Sequence, residues 1–201
     1  QINGVIKKAK FNIFKKVEIE NLNLSFDIRK NQLTLRKVET DLNSVRLRSP
    51  LIQIEEKKNK FFINGKVIND QQNFDIDKLK PIFGNLLSTI ETEKVDFNST
   101  NTFSFNINKN LKLNDLKLET NLNLKNFKIV KNPLDLKTFL PDHNEQVELV
   151  EHKIKINLTK NILDIKGEGD IYIGDEPEQL SYKINNNDGT ITFDTKLIIK
   201  N

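Results

Sequence analysis

The sequence predicts an all-β fold, mainly antiparallel, in which repeated hairpins form an elongated, strongly curved sheet. Three stretches place a Lys-Asn turn between runs of alternating apolar residues: Ser25–Leu35, Ser104–Leu113 and Lys155–Ile165. Such alternation is typical of antiparallel strands with one apolar and one solvated face. A hairpin that recurs at intervals of roughly fifty to eighty residues indicates a sheet extended by repetition.

The first strands follow one another closely. Apolar residues alternate at Val17 and Ile19, and again over Leu22–Ile28, but the second set is displaced by one residue. A displacement of one residue moves the side chains to the other face of a strand, so it predicts a bulge at Glu20-Asn21. In the strand predicted over Phe61–Ile68, Gly65 indicates a bulge or a close backbone approach.

Two segments interrupt the strand pattern. Over Asp75–Ile90 the apolar residues recur at intervals of three and four, which predicts one short amphipathic helix that lies over the sheet or closes one end of it. Asn132–Asp142, bracketed by two prolines, indicates a short helical turn in a loop.

The remaining strands are predicted over Thr102–Ile107, Leu111–Leu118, Asn121–Leu124, Phe127–Val130, Gln146–Val150, Lys153–Leu158, Ile162–Lys166, Gly169–Ile173, Gln179–Asn185 and Gly189–Ile199. Because the chain contains no linker rich in Pro, Gly or Ser, residues 1–201 are predicted to form a single domain. The strand pattern is established by Phe11, and the sequence begins at Gln1, so we expect an excerpt of a longer β-groove protein.

Composition excludes several classes of site. Cysteine is absent, which excludes disulfides and thiolate metal sites. The net charge of +4 is spread along the chain without a basic block, which argues against nucleic-acid binding. His143 and His152 stand without a metal-binding or catalytic motif, so each is expected to have a surface or edge role. The sequence therefore predicts a protein that is not an enzyme and needs no cofactor or metal.

The apolar face of the sheet is the remaining candidate site, and it has two interpretations. It is either a core packed against a second sheet, which periodicity alone favours, or the lining of an open groove. A continuous apolar groove suits acyl chains, whose burial is worth roughly 0.8 kcal/mol per CH₂.

The residue sequences of the strands favour the groove interpretation. Leu22–Leu35 (LNLSFDIRKNQLTL), His152–Ile173 (HKIKINLTKNILDIKGEGDIYI) and Gly189–Ile199 (GTITFDTKLII) resemble the AsmA-like family, particularly its TamB and YhdP branch. Proteins of this family are anchored in the bacterial inner membrane by an N-terminal helix. Their body crosses the periplasm as a bent sheet with an apolar groove, and they are associated with moving phospholipid toward the outer membrane.

The resemblance implies that this chain is a periplasmic segment of such a bridge, from the C-terminal region of an inner-membrane-anchored parent protein. The partners that it implies are phospholipid, adjacent β segments of the same chain and, through other parts of the parent chain, bacterial membranes. The residues expected to line the groove are Leu24, Phe26, Ile28, Leu33, Leu35, Phe103, Phe105, Ile107, Leu111, Leu113, Ile154, Ile156, Leu158, Leu163 and Ile165. The residues expected to gate one end from the helix are Leu79, Phe83, Leu86 and Ile90. The alternative is a β-solenoid or β-sandwich scaffold that carries no lipid.

Overall fold

A computed structural model of the chain describes residues 1–13, 17–75, 77, 94–129, 147–172 and 176–198. The described residues form one sheet of eleven strands, and each strand pairs antiparallel with the next one in the sequence. The strands are β1 (Ile2–Ile13), β2 (Val17–Arg29), β3 (Gln32–Leu42), β4 (Val45–Lys57), β5 (Lys60–Asp75), β6 (Lys94–Asn108), β7 (Leu113–Ile129), β8 (Val147–Thr159), β9 (Ile162–Tyr172), β10 (Pro177–Asn187) and β11 (Thr190–Ile198).

The sheet is open, because β1 and β11 each pair on one side only. The predicted all-β, antiparallel fold is confirmed at this level. Within the described ranges the strands form neither the parallel coils of a solenoid nor a second sheet packed on the first. The same ranges contain no helix long and apolar enough to span a bilayer.

The three hairpins predicted from the repeat are confirmed. They correspond to β2–β3, β6–β7 and β8–β9. Together with the turns of β4–β5 and β10–β11 they lie at one end of the sheet, which we call the turn end. The other five connections lie at the opposite end, the loop end.

Bulges keep apolar side chains on one face. The bulge predicted at Glu20-Asn21 is confirmed, since Asn21 has a φ of 52° where the pairing of β2 with β3 shifts. Lys8, Lys37, Asp115 and Glu151 also have positive φ inside strands, next to register shifts. A bulge reverses the alternation of side chains, so the apolar set stays on the same face past it.

Two predicted interruptions fall mostly outside the described residues. Asp75, the expected start of the helix, is instead the last residue of β5, and Asp77 is exposed. The rest of Asp75–Ile90 and all of Asn132–Asp142 lie outside the described residues, so both remain predictions.

Candidate functional site

The face that carries most of the apolar side chains extends across the whole described sheet. One row of directly paired residues crosses all eleven strands, and we call it the central row: Gly4, Phe26, Leu35, Ile52, Gly65, Phe103, Leu118, Leu158, Leu163, Asn186 and Ile191. Neighbouring strands are about 4.8 Å apart, so ten spacings make the row about 48 Å long. The three hairpins, distant in sequence, therefore contribute to one surface.

The predicted lining residues fall on this row or beside it. Phe26, Leu35, Phe103, Leu158 and Leu163 belong to the central row. Toward the turn end, Ile28 and Leu33 pair through Ile54 and Ile63 with Phe105, and Ile107 pairs with Phe61 and Leu113. Toward the loop end, Ile156 pairs with Ile165, Ile154 with Leu122, and Leu24 with Ile6.

Leu111 is the exception. It lies in the turn before β7, with a φ of 58° and 82% of its surface exposed, so no strand position brings it onto the apolar face. The four predicted gating residues, Leu79, Phe83, Leu86 and Ile90, lie outside the described residues. Their role stays a prediction.

The described residues do not cover this surface. Of the predicted lining residues only Leu24 is buried, at 8% exposure, and the others are half-buried or exposed. The extensive strand-to-strand contacts all join neighbours in the sheet. A second layer packed on this face would bury these side chains, so the described residues present the predicted lining as an accessible surface.

Aromatic rings lie over glycines at four places on this face. A Cβ atom added to Gly4 would overlap the ring of Phe26, and one added to Gly167 would overlap Tyr182. At Gly65 the added atom would lie 2.9 Å from Cζ of Phe103. A ring that covers a cross-strand glycine fills the gap in the side-chain layer and pins the register of the two strands. The close approach predicted at Gly65 is confirmed.

His152 occupies the fourth of these places, over Gly169. It is fully buried, at 0% exposure, and its ring stacks on Tyr182 with centroids 6.0 Å apart. The predicted surface or edge role was therefore wrong for His152, because its side chain alternates in step with Ile154 and pairs with Leu124, which places it on the apolar face. His143 lies outside the described residues.

Burial sets the protonation state of His152. Its Nε2 lies 2.9 Å from the carbonyl oxygen of Asp170, so Nε2 carries the proton and donates it. Its Nδ1 has no hydrogen-bond partner among the described residues. Loss of hydration lowers the pKa of His152, and the nearby Asp170 opposes that shift only in part. Burial also raises the pKa of Tyr182 to about 12.

A band of polar side chains crosses the apolar face on β5, β6 and β7. Asn69 pairs with Ser99, and Asn101 pairs with Thr120, and all lie in register with apolar residues of β8. Thr120 donates to Oδ1 of Asn101 at 2.8 Å, and Nδ2 of Asn101 contacts the Ser99 hydroxyl at 3.0 Å. These hydrogen bonds satisfy most of the buried polar atoms of this band, although Oδ1 of Asn69 has no hydrogen-bond partner in the described part of the chain.

Open depressions lie on the opposite, polar face of the described sheet. One of about 580 Å³ is lined mainly by two polar rows: Asn64, Ser104, Lys117 and Thr159, and Lys66, Thr102, Glu119 and Asn157. The described residues hold no cluster of His, Cys, Asp or Glu suited to a metal ion. The candidate site is an extended surface of partly exposed apolar side chains.

Sequence reasoning missed the residues that connect the hairpins. Ile52, Ile54, Ile63 and Leu118 complete the rows, and their alternation within their own strands was a usable signal. The polar band and His152 carried no such signal, because a polar residue at an inward position resembles the end of a strand.

Comparisons of the chain with protein-family models, with curated proteins and with solved structures give no match. The resemblance to the AsmA-like family therefore stays a prediction.

Proposed function

We propose that the apolar face binds the acyl chains of phospholipids and that the chain is a segment of a lipid-transfer bridge between the inner and outer membranes of a bacterium. The observation that carries this proposal is the central row, which crosses all eleven strands and presents partly exposed apolar side chains on eight of them. Soluble proteins seldom expose a contiguous apolar patch larger than a few hundred Å² unless something binds there.

The length of the central row favours a path along which lipids move, rather than a pocket that holds a single lipid. The row is about 48 Å long, from ten strand spacings. One leaflet of a bilayer has a hydrocarbon thickness of about 15 Å, half of the bilayer core. Several lipids could therefore occupy the face in succession, each losing contact with water at roughly 0.8 kcal/mol per CH₂.

The bulges support a curved form of the sheet. Open sheets of more than about ten strands rarely remain flat, and bulges increase local twist and bend the strand that carries them. Here bulged residues occur in β1, β2, β3, β7 and β8. Curvature of the sheet around the central row would produce the groove expected from the sequence.

Transfer on this face would be passive. Apolar contacts of similar kind repeat along the row, so no position holds a lipid much more tightly than the next. Head groups remain in water, where scattered lysine and asparagine side chains offer exchangeable contacts. The direction of movement must come from elsewhere in the system.

The direct test is the lipid content of the purified protein, measured by mass spectrometry after solvent extraction. We expect co-purified phospholipid with the wild-type chain. A triple variant, Phe26→Asp, Phe105→Asp and Ile156→Asp, is expected to remain folded and to lose the lipid, because each carboxylate lies on a face open to water. The residues just beside them on the polar face provide a matched control: Ser25→Asp, Ser104→Asp and Asn157→Asp.

Two results would contradict the proposal. A stable wild-type preparation that contains no lipid and takes up no fluorescent phospholipid would remove the function. Unfolding of the triple variant while the control remains folded would show that the face is a sealed core, since buried unpaired charge costs several kcal/mol. That outcome would favour the scaffold alternative.

A further inference from the structure

The turn end of the sheet carries a row of exposed lysines. Lys30, Lys58, Lys109 and Lys160 occupy four successive turns of this end, and Lys60 and Lys112 lie beside two of them. All six are exposed, and none has an ion-pair partner among the described residues. Turns two strands apart are about 10 Å apart, so the row is roughly 30 Å long.

Turn geometry does not account for these lysines. Lys30, Lys58 and Lys160 have φ values of 49°, 48° and 47°. At such positions in a two-residue hairpin turn, Asn, Asp and Gly are preferred. The β3–β4 turn, at the loop end, shows this preference at its first position, with Asn43 at a φ of 48°.

Large apolar side chains are exposed beside the same turns. Leu111, 82% exposed, lies between Lys109 and Lys112, and its backbone N–H donates to the carbonyl of Asn108 at 2.9 Å. Phe61 and Phe62 follow Lys60, and Ile162 follows Asn161. The turn holds the side chain of Leu111 outward. Lysines and exposed apolar side chains are therefore found together along the turn end.

The apolar tips project from both faces of the sheet. Phe61 pairs with Ile107 on the apolar face, whereas Phe62 pairs with Asn106 and Ile162 with Thr159 on the polar face. A lipid lying on the apolar face would not reach Phe62 or Ile162. A bilayer approached edge-on by the turns would contact residues of both faces.

We propose that the turn end docks on the surface of an anionic lipid bilayer. The lysines neutralise lipid phosphates, and the apolar tips insert at the boundary between head groups and acyl chains, as basic and apolar residues do together in interfacial segments. The charge of the edge and the exposure of its apolar tips carry this proposal, which does not depend on lipid transport along the apolar face.

The test is flotation of the chain with vesicles of phosphatidylcholine alone and of phosphatidylcholine with phosphatidylglycerol in equal parts. We expect binding to the anionic vesicles only, and loss of binding in high salt. The triple variant Lys58→Gln, Lys109→Gln and Lys160→Gln is expected to bind about a hundred-fold more weakly, roughly five-fold per lysine. The control Lys66→Gln, Lys117→Gln and Lys183→Gln removes the same charge from the polar face and is expected to bind within a few-fold of the wild type.

A second measurement keeps the proposal testable if the lysine variants fold poorly. The chain contains no tryptophan, so Leu111→Trp introduces a single indole at the turn end, and Glu176→Trp introduces one at the loop end. We expect a blue shift of fluorescence on anionic vesicles for Leu111→Trp alone. Equal binding to both vesicle types, equal losses in the two lysine variants, or a shift at Glu176→Trp as large as that at Leu111→Trp would each overturn the proposal.

Discussion

The loop-end half and the turn-end half of the sheet share one backbone pattern but bury their side chains to different extents. Three clusters of buried residues follow the loop end: Val45 with Phe74, Val95 with Leu124, and Val147 with Ile171. At the turn end, Ile28, Phe61 and Leu113 are exposed although they belong to the same face. Within the inner strands, apolar side chains are therefore packed more tightly toward the loop end and are more accessible toward the turn end, whereas on the edge strands Phe11 and Leu197 are exposed toward the loop end as well.

The largest expected difference concerns two phenylalanines. Phe74 is 4% exposed and packs against Phe97 with ring centroids 5.0 Å apart, so Phe74→Ala should lower the free energy of unfolding by about 3–5 kcal/mol. The matched change at the half-buried Phe105 should cost only about 1 kcal/mol, because less apolar area is lost from contact. Urea denaturation measures both. Equal costs would mean that the turn-end half is core as well.

A second comparison uses two glycines under aromatic rings. In Gly169→Ala the new Cβ would lie 2.5 Å from the His152 ring and 2.7 Å from its Cα, and the backbone cannot move aside. We expect a loss of about 1–3 kcal/mol.

Gly65→Ala is the control for this change. Its nearest neighbour is the tip of the half-buried Phe103 ring, which can swing toward solvent. We therefore expect a smaller loss by thermal denaturation. A larger loss at Gly65 would show that the turn-end half is the more tightly packed region.

The polar band at the boundary of the two halves gives a smaller effect. Thr120→Val removes the hydroxyl that donates to Asn101 at 2.8 Å and should cost about 1 kcal/mol in chemical denaturation. Thr195→Val removes an exposed hydroxyl bonded to the Ser181 carbonyl at 3.3 Å and is expected to leave the midpoint unchanged. Similar losses of unfolding free energy at both positions would mean that burial of the band does not strengthen its hydrogen bonds.

The smallest expected effect on stability comes from His152. It is absent at neutral pH and appears only as the pH falls. Burial lowers the pKa of His152 in the folded chain, so below the ordinary value of 6.5 the unfolded chain binds the proton first. The melting temperature should therefore fall as the pH drops from 6.5 toward the lowered pKa.

His152→Gln should flatten this part of the pH profile. The control is His143→Gln, which removes the other histidine of the sequence. If the profile of His152→Gln matches that of the wild type, the imidazole is not buried in solution.

The repeat is sufficient to predict the hairpins. The lengths of the strands are predicted less well, because polar residues that face the apolar side interrupt the alternation. Alternation predicts Leu111–Leu118, Asn121–Leu124 and Phe127–Val130 as separate strands, but their described residues all belong to β7, apart from the turn residues 111 and 112. Thr120, between the first two, faces the apolar side because Asn101 satisfies its hydroxyl. Likewise His152 stands inside β8, where a bulge and the Asp170 carbonyl accommodate it. A prediction from alternation alone ends the strand at such residues.

Local sequence patterns are sufficient to predict the all-β class, the Lys-Asn hairpins and the bulge at Asn21, because alternation and turn residues act over a few neighbouring positions. Only the folded sheet shows which hairpins lie side by side, that apolar residues of eight strands meet in one row, and that most of the buried apolar residues lie toward the loop end. Pairing between strands and burial depend on contacts that are distant in sequence, which a local pattern does not encode.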